Sequence, residues 1–227
     1  MSEPLLPLLH LCDSLFPLGS FAHSDGLESA VHAGLVRTGE DLDDWLTACL
    51  DEVVGRCDGP AVADVWSAFH AADWERIADV DRDLVAMRPA AAARASTRAM
   101  GRRLMATWQA VHAGSEGTNP LSCVDCGSLG PSLPVAFGAV SASAGVAQRS
   151  AVEGYAYTRL AASVSAAMRL IPIGQIEAHT RLAAACLRIP ATVDDLLHRA
   201  SPSETFTPML DIMAMTHRSV HSRLFRS

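Results

Sequence analysis

The chain has 227 residues, of which 49% are hydrophobic and 19% charged, and its formal net charge is −7. This composition excludes a disordered protein and suits one globular domain, while the negative charge disfavours general binding of nucleic acid. All 18 basic residues are Arg, which excludes Schiff-base chemistry on lysine and a phosphate-binding loop of the Gly-Lys type.

The alanine content predicts an all-α fold. There are 38 Ala against 6 Phe and 2 Tyr. Alanine is the best helix former and lets helices approach closely, whereas β-branched and aromatic strand formers are too sparse for a large sheet. We therefore expect a single-domain bundle of about ten helices spanning residues 1–227.

The first predicted helices lie between breaks at Pro and Gly. A short apolar helix over residues 5–12 ends before Phe-Pro-Leu-Gly at 16–19, and a second runs over 24–33 to Gly34. The third is defined most clearly, because apolar residues recur at helical spacing over 42–57. Thr38 or Gly39 can cap it, and its acidic residues are interpreted as a solvated face.

The remaining elements are also predicted to be helices. One begins at Gly59-Pro60, with Pro in the first turn, and 113–133 is the one long irregular segment. The other predicted helices cover residues 73–87, 90–112, 134–147, 151–170, 174–188, 192–200 and 207–220.

The cysteines and the N-terminus predict a reducing, cytoplasmic location. The six cysteines lie mostly in apolar helical stretches, and the first residues lack the basic region of a secretory signal. Residues 126–148 carry no charge, but Pro and Gly interrupt them, so no membrane span is expected.

Two patterns could ligate a metal. Cys123 and Cys126 form a single CxxC, whereas a structural zinc site needs four ligands, so two thiols in a loop are the favoured interpretation. His217 and His221 share a helix face and could hold one metal ion, or they form a solvated or partner-facing pair.

The sequence lacks the signs of an active site. It does not combine a nucleophile, a base and an electrophile stabiliser in any recognisable motif. We therefore expect neither catalysis nor a cofactor.

Both ends of the chain are typical of contact surfaces. Residues 216–227 hold three Arg, two His and no acid, and Leu224 and Phe225 lie between basic residues, a composition enriched at interfaces. Near the N-terminus, a Pro- and Gly-containing aromatic segment precedes a predicted helix, where a hydrophobic staple is the alternative interpretation. The candidate contact residues are Pro17, Gly19, Phe21, Glu28, Arg218, Arg223, Leu224, Phe225 and Arg226.

Six short pieces in order resemble the UreF family of urease accessory proteins, over nearly the whole chain. They are residues 14–21 (SLFPLGSF), 24–28 (SDGLE), 34–36 (GLV), 133–138 (LPVAFG), 170–175 (LIPIGQ) and 222–227 (SRLFRS). The chain departs from the family pattern at His23, where Tyr is usual, at Leu133, which follows Ser132 where the family has His and an aromatic, and at Ala178, near a usual Gly.

The resemblance implies an all-α homodimer without catalytic activity. Such a protein joins UreD (also called UreH) and the GTPase UreG on apo-urease and regulates GTP hydrolysis during nickel insertion. The basic tail at 216–227 would then dock UreD, the surface with Pro17 and Glu28 would face UreG, and Pro172, Gly174 and Gln175 would shape a helix junction near the dimer. The alternatives are a nickel carrier that uses His217 and His221, with Cys123 and Cys126, and a small helical enzyme.

Overall fold

A computed structural model describes residues 4–17, 23–112, 121, 124, 130–199, 201–217, 220 and 224–225. In these residues every regular element is helical, which confirms the predicted all-α class. The α-helices are α1 (Leu5–Cys12), α2 (Leu27–His32), α3 (Gly39–Ala48), α4 (Gly59–His70), α5 (Trp74–Ala86), α6 (Ala91–Val111), α7 (Leu133–Ser143), α8 (Gln148–Leu170), α9 (Gln175–Cys186), α10 (Ile189–Arg199) and α11 (Pro208–Thr216). A π-helical segment, Cys49–Asp58, joins α3 to α4 without a break.

Helix α7 is the centre of the bundle. It is apolar on all sides and buried from Leu133 to Ala142, as expected of a helix surrounded by others. It packs mainly against α4 and α6. Gly138 permits the approach to α4, because a Cβ there would lie 2.8 Å from the Val62 carbonyl oxygen.

The start of α7 is held by buried polar side chains. The backbone N–H of Ser132 donates to Asp81 Oδ1 over 2.7 Å, and that of Leu133 donates to Thr97 Oγ1 over 3.1 Å. Asp81 also pairs with Arg98 at 3.1 Å. These acceptors satisfy N–H groups that a helix start leaves without partners.

The third predicted helix is confirmed in place, but its second half differs in type. Of the two cap candidates, Thr38 or Gly39, the structure selects Thr38, which forms a capping box with Asp41. From Cys49 the backbone takes the wider π spacing, which changes the register of the following residues and buries Cys57 and Asp58. Hydrophobic periodicity does not specify that change.

Acidic residues of α3 and of the π-helical segment that follows it form ion pairs with another part of the chain. Asp43 forms an ion pair with Arg181, and Asp51 pairs with Arg188 at 2.6 Å. The arginines lie in and just after α9, so the pairs bridge two helices. Both aspartate side chains remain largely exposed, at 49% and 40%, so the interpretation as a solvated face stands and the ion pairs add to it.

Candidate partner-docking site

The Glu28 carboxylate, in the first turn of α2, contacts the C-terminal part of the chain. The side chain is only 1% exposed. Its Oε2 lies 2.7 Å from His217 Nε2, its Oε1 accepts a hydrogen bond of 2.6 Å from the Leu224 N–H, and Oε2 accepts one of 3.3 Å from the Phe225 N–H. A buried carboxylate requires such partners, and here they come from the other end of the sequence.

The residues before Glu28 let α11 approach α2. Gly26 has φ +93°, and a Cβ on it would lie 3.1 Å from the Ala214 backbone nitrogen. Leu27 is fully buried in the core. The motif SDGLE therefore combines a left-handed turn, a core anchor and a carboxylate directed at the C-terminal residues.

Leu224 and Phe225 have opposite environments. The Phe225 side chain is buried, and the guanidinium carbon of Arg169 lies 4.4 Å from its ring centroid. Leu224 is 58% exposed. The adjacent residues thus provide one internal anchor and one apolar contact.

Helix α11 presents an apolar stripe to solvent. Met209, Ile212 and Met215 recur every three residues and are each about half exposed, while Met213 faces the core. Phe206, just before the helix, is 83% exposed. Exposed methionines suit a surface that adapts to a protein partner. We call α11 with Val220, Leu224 and Phe225 the C-terminal arm, and Met209, Ile212 and Met215 its stripe.

A second apolar surface lies between α1 and α8. Its groove has a volume of about 890 Å³ and includes Leu9, Phe16, Tyr157 and Met168 in its lining. Helix α1 is apolar on both sides, and Leu9 is more than half exposed. Pro17 comes directly after Phe16 in the sequence, and it is also exposed.

The junction between α8 and α9 is exposed as well. Pro172, Gly174 and Gln175 are all accessible, and Ile176 in the first turn of α9 is 87% exposed. Gly174 has φ −77°, and a Cβ there would meet no atom within 4 Å. The chain itself therefore does not require glycine at this position.

No sequence pattern indicated the buried polar network around Asp58, because its members are far apart in the chain. Asp58 accepts hydrogen bonds of 2.6 Å from both Arg88 and the Tyr155 hydroxyl. Burial raises the pKa of Tyr155 well above its ordinary value, so the phenol stays protonated and donates. Only the three-dimensional fold brings these groups together.

Asp25 and Arg159 extend this polar region towards α2, with a pair distance of 2.7 Å. Burial acts to raise the pKa of Asp25, but the Arg159 guanidinium outweighs it and holds that pKa below its ordinary value. A cavity of about 120 Å³ beside the pair is also lined by Cys49, Cys57 and Asp211. The cavity lies between α11, which also contributes Ala214, and residues of the π-helical segment and α8.

The cavity thiols are not poised for catalysis. Burial raises the pKa of both Cys49 and Cys57 to about 12, so both remain protonated near neutral pH. They lack the thiolate character that a nucleophilic cysteine needs.

The structure does not support a metal site at the residues that the sequence suggested as ligands. His217 is buried against Glu28, so the interpretation that placed it on a solvated or partner-facing surface is wrong. Within the described parts of the chain, no three His, Cys, Asp or Glu side chains are arranged to hold a metal ion. His221, Cys123 and Cys126 lie outside those parts.

Several predicted contact residues also lie outside the described residues: Gly19, Phe21, Arg218, Arg223 and Arg226. Of those described, Pro17 and Leu224 are exposed, whereas Glu28 and Phe225 are internal. Among the helices that the structure describes, none combines the length and apolar character needed to cross a membrane.

Comparison with known proteins gives a consistent result. The family model described as UreF matches residues 36–186. The urease accessory protein UreF of Methylibium petroleiphilum is 35% identical over 226 residues, covering 98% of this chain and 94% of its own length. The urease accessory protein UreF of Rhodopseudomonas palustris is 35% identical and covers 100% of this chain and 94% of its own length. The protein of the same name from a Polaromonas species is 30% identical and covers 98% of this chain and 94% of its own length.

Proposed function

The chain belongs to the UreF family of urease accessory proteins, and we propose that it is a scaffold that joins UreD and the GTPase UreG on apo-urease during nickel insertion. The observation that carries this proposal is the C-terminal arm. Helix α11 carries an exposed apolar stripe, Phe225 is buried, and the sequence after the helix holds Arg at 218, 223 and 226. Such a surface binds another protein rather than transforming a small molecule.

The arm is proposed to dock UreD. The stripe supplies apolar area, Leu224 adds an exposed apolar side chain, and the sequence after α11 adds the positive charge of three arginines. Charged rims steer association and fix orientation, while the apolar centre supplies most of the affinity.

The N-terminal surface is proposed to face UreG. The α1–α8 groove offers apolar area beside Pro17, and Gly19 and Phe21 follow in the sequence. The chain contains no lysine and so cannot form a nucleotide-binding loop of the Gly-Lys type. Its effect on GTP hydrolysis would come from preferring one nucleotide state of UreG, and the shift cannot exceed the difference in affinity between the states.

The start of α9 is proposed to meet a second copy of the chain. Gly174 is not required by the fold, and Ile176 is exposed at the same site. A close approach by another backbone would explain both features. A Gly174→Leu variant should then keep its melting temperature but run as a monomer in analytical ultracentrifugation; an unchanged dimer would place the contact elsewhere.

The deciding experiment uses UreD as the probe. Deleting residues 222–227, or replacing Met209 and Met215 together by Gln, should reduce co-purification with UreD at least tenfold. Val111→Gln, at an exposed apolar position on α6, is the matched control. Undiminished binding by both altered proteins would refute UreD docking by the arm.

A parallel assay tests the coupling to UreG. The complete complex should recruit UreG to different extents in the presence of GTP and GDP. Equal recruitment under both conditions would remove the regulatory part of the proposal. The nickel-carrier alternative has less support, because the His217 imidazole is already bound by Glu28.

A further inference from the structure

We propose that His10 and His112 form a two-imidazole site for a divalent transition-metal ion. His10 is in the last turn of α1, and His112 is the C-cap residue of α6. Their ring centroids lie 5.8 Å apart, and the ring planes are inclined by 50°. These residues belong neither to the C-terminal arm nor to the ligands suggested by the sequence, so the site is independent of UreD docking.

The separation of the two rings suits a shared ion. An imidazole nitrogen binds Zn²⁺ at a distance of about 2.0–2.1 Å. At that distance, two imidazoles on one tetrahedral ion have ring centroids about 5–6 Å apart. The separation of His10 and His112 falls within this range, so α1 and α6 already stand at the spacing that one bridging ion requires.

A backbone contact selects the nitrogen of His112 that would bind the ion. Nδ1 lies 3.1 Å from the Trp108 carbonyl oxygen. Because a carbonyl oxygen only accepts hydrogen bonds, Nδ1 carries the hydrogen, and the lone pair of the neutral ring is on Nε2. Metal-bound histidines commonly donate their second ring N–H to a backbone carbonyl in this way, which fixes the orientation of the ring.

Aromatic side chains support both imidazoles. The His112 ring stacks on Trp108 at a centroid distance of 3.8 Å, and Phe16 packs against the His10 ring in an edge-to-face arrangement at 5.1 Å. Trp108 and Phe16 are buried, whereas the two histidines are partly exposed. The arrangement therefore combines apolar support on one side with access for an ion from solvent.

The end of α4 provides an internal comparison for the end of α6. His70 packs on Trp66 at a centroid distance of 4.0 Å, and its Nδ1 lies 2.9 Å from the Trp66 carbonyl oxygen. The other ring beside it is Phe69, at 6.0 Å. His70 thus has the indole support and the backbone bond of His112, but its further neighbour is a phenyl group, which cannot bind a metal. His70 is therefore the matched control.

Two nitrogen ligands determine which ions the site accepts and how tightly. Imidazole suits zinc, copper, iron and nickel, whereas magnesium and calcium prefer oxygen ligands. Since no three His, Cys, Asp or Glu side chains of the described residues surround one point, water would supply the remaining ligands. Two protein ligands in place of the usual three or four predict a moderate affinity, with Kd of about 10–100 μM.

The test titrates ZnCl₂ into full-length protein in which Cys123→Ser and Cys126→Ser remove two competing thiols, and NMR follows the imidazole signals. We expect the signals of His10 and His112 to change together and to saturate at one zinc ion per chain, while MgCl₂ leaves them unchanged. His10→Phe and His112→Phe each keep an aromatic ring but should weaken zinc binding at least about tenfold, whereas His70→Phe should change it less than about twofold.

Three outcomes would overturn the metal site. Unchanged signals of His10 and His112 up to about 1 mM zinc, tenfold above the weakest expected Kd, would exclude binding there whatever the variants do. Changes that follow those of the His70 signals would indicate adventitious binding at exposed histidines. Parental affinity in a folded His10→Phe or His112→Phe variant would place the ion elsewhere, and either variant suffices if the other does not fold. UreD binding enters none of these measurements, so docking by the arm and metal binding stand or fail separately.

Discussion

Helix α7 and the C-terminal arm are both short and rich in apolar residues, yet they have opposite surroundings. Residues 133–142 of α7 are all buried, whereas α11 buries only Met213 and exposes its stripe. In α7 the apolar side chains contribute to folding, and the backbone N–H groups of Ser132 and Leu133 at its start are satisfied by Asp81 and Thr97. In the arm comparable side chains remain in contact with water, which makes them available to a partner.

The comparison indicates that α7 and its neighbours stabilise the fold, whereas the C-terminal arm is available for binding. The free energy of unfolding should depend on α7 and the helices around it. The arm should open in smaller events, because it has less burial and is separated from the body in part by the 120 Å³ cavity. Each prediction below tests that separation.

The largest effect is expected from Phe137→Ala. Phe137 is buried in α7 and packs edge-on against Tyr155 at a centroid distance of 5.4 Å. Its truncation should lower the free energy of unfolding by about 3–5 kcal/mol. Met209→Ala in the exposed stripe should change it by no more than about 0.5 kcal/mol. Urea denaturation of the two variants measures the contrast directly, and similar losses would remove the distinction between the regions.

A smaller loss is expected from Asp58→Asn, next to the cavity. The carboxylate is buried, and its replacement leaves the Arg88 guanidinium without its counter-charge. We expect a loss of roughly 2–4 kcal/mol, since breaking a buried ion pair leaves one charge desolvated. Asp64→Asn is the control, because its pair with Arg76 is much more exposed and should contribute about 1 kcal/mol or less.

Thermal or urea unfolding would measure both aspartate variants. Equal losses would mean that the Asp58 network is no more important than a surface pair. The Asp58 network would then contribute nothing to the difference in stability between the body and the arm.

The sequence predicted local features better than long-range ones. The cap at Thr38 depends on neighbours a few residues away, and so do the break at Gly34 and the position of most helices. Their recognition needs only capping chemistry and apolar spacing.

The partners of Glu28 and Asp58 could not be obtained in that way. Glu28 binds residues 189 and 196 positions later, and Asp58 binds Tyr155, 97 positions later. A motif such as SDGLE indicates an important carboxylate but not whether it faces a partner or the interior. The exposure of Gly174 likewise depends on which helices surround it.

The smallest predicted effect concerns pH and the loop before α2, where the arm is anchored. The pKa of Asp25 is lowered by Arg159 in the folded protein, so the pair stabilises the fold above the ordinary Asp pKa of about 3.9. That contribution is lost as pH falls through the lower folded pKa. Because both side chains are partly exposed, at 20% and 36%, we expect no more than about 1 kcal/mol.

Asp25→Asn should therefore cost that amount at pH 7 and flatten the stability profile below about pH 4. Asn accommodates the positive φ of this residue, 49°, so the change removes the charge without a new backbone conflict. Asp79→Asn, which disrupts an exposed pair with Arg82, is the matched control. Acid should lower the protection factors of the amides in α11, relative to the intrinsic rates at each pH, before those in α7, because the lost pair adjoins the arm and not the central helix. Simultaneous loss of protection in both helices would show that the arm and the body open as one unit, contrary to the separation inferred from their burial.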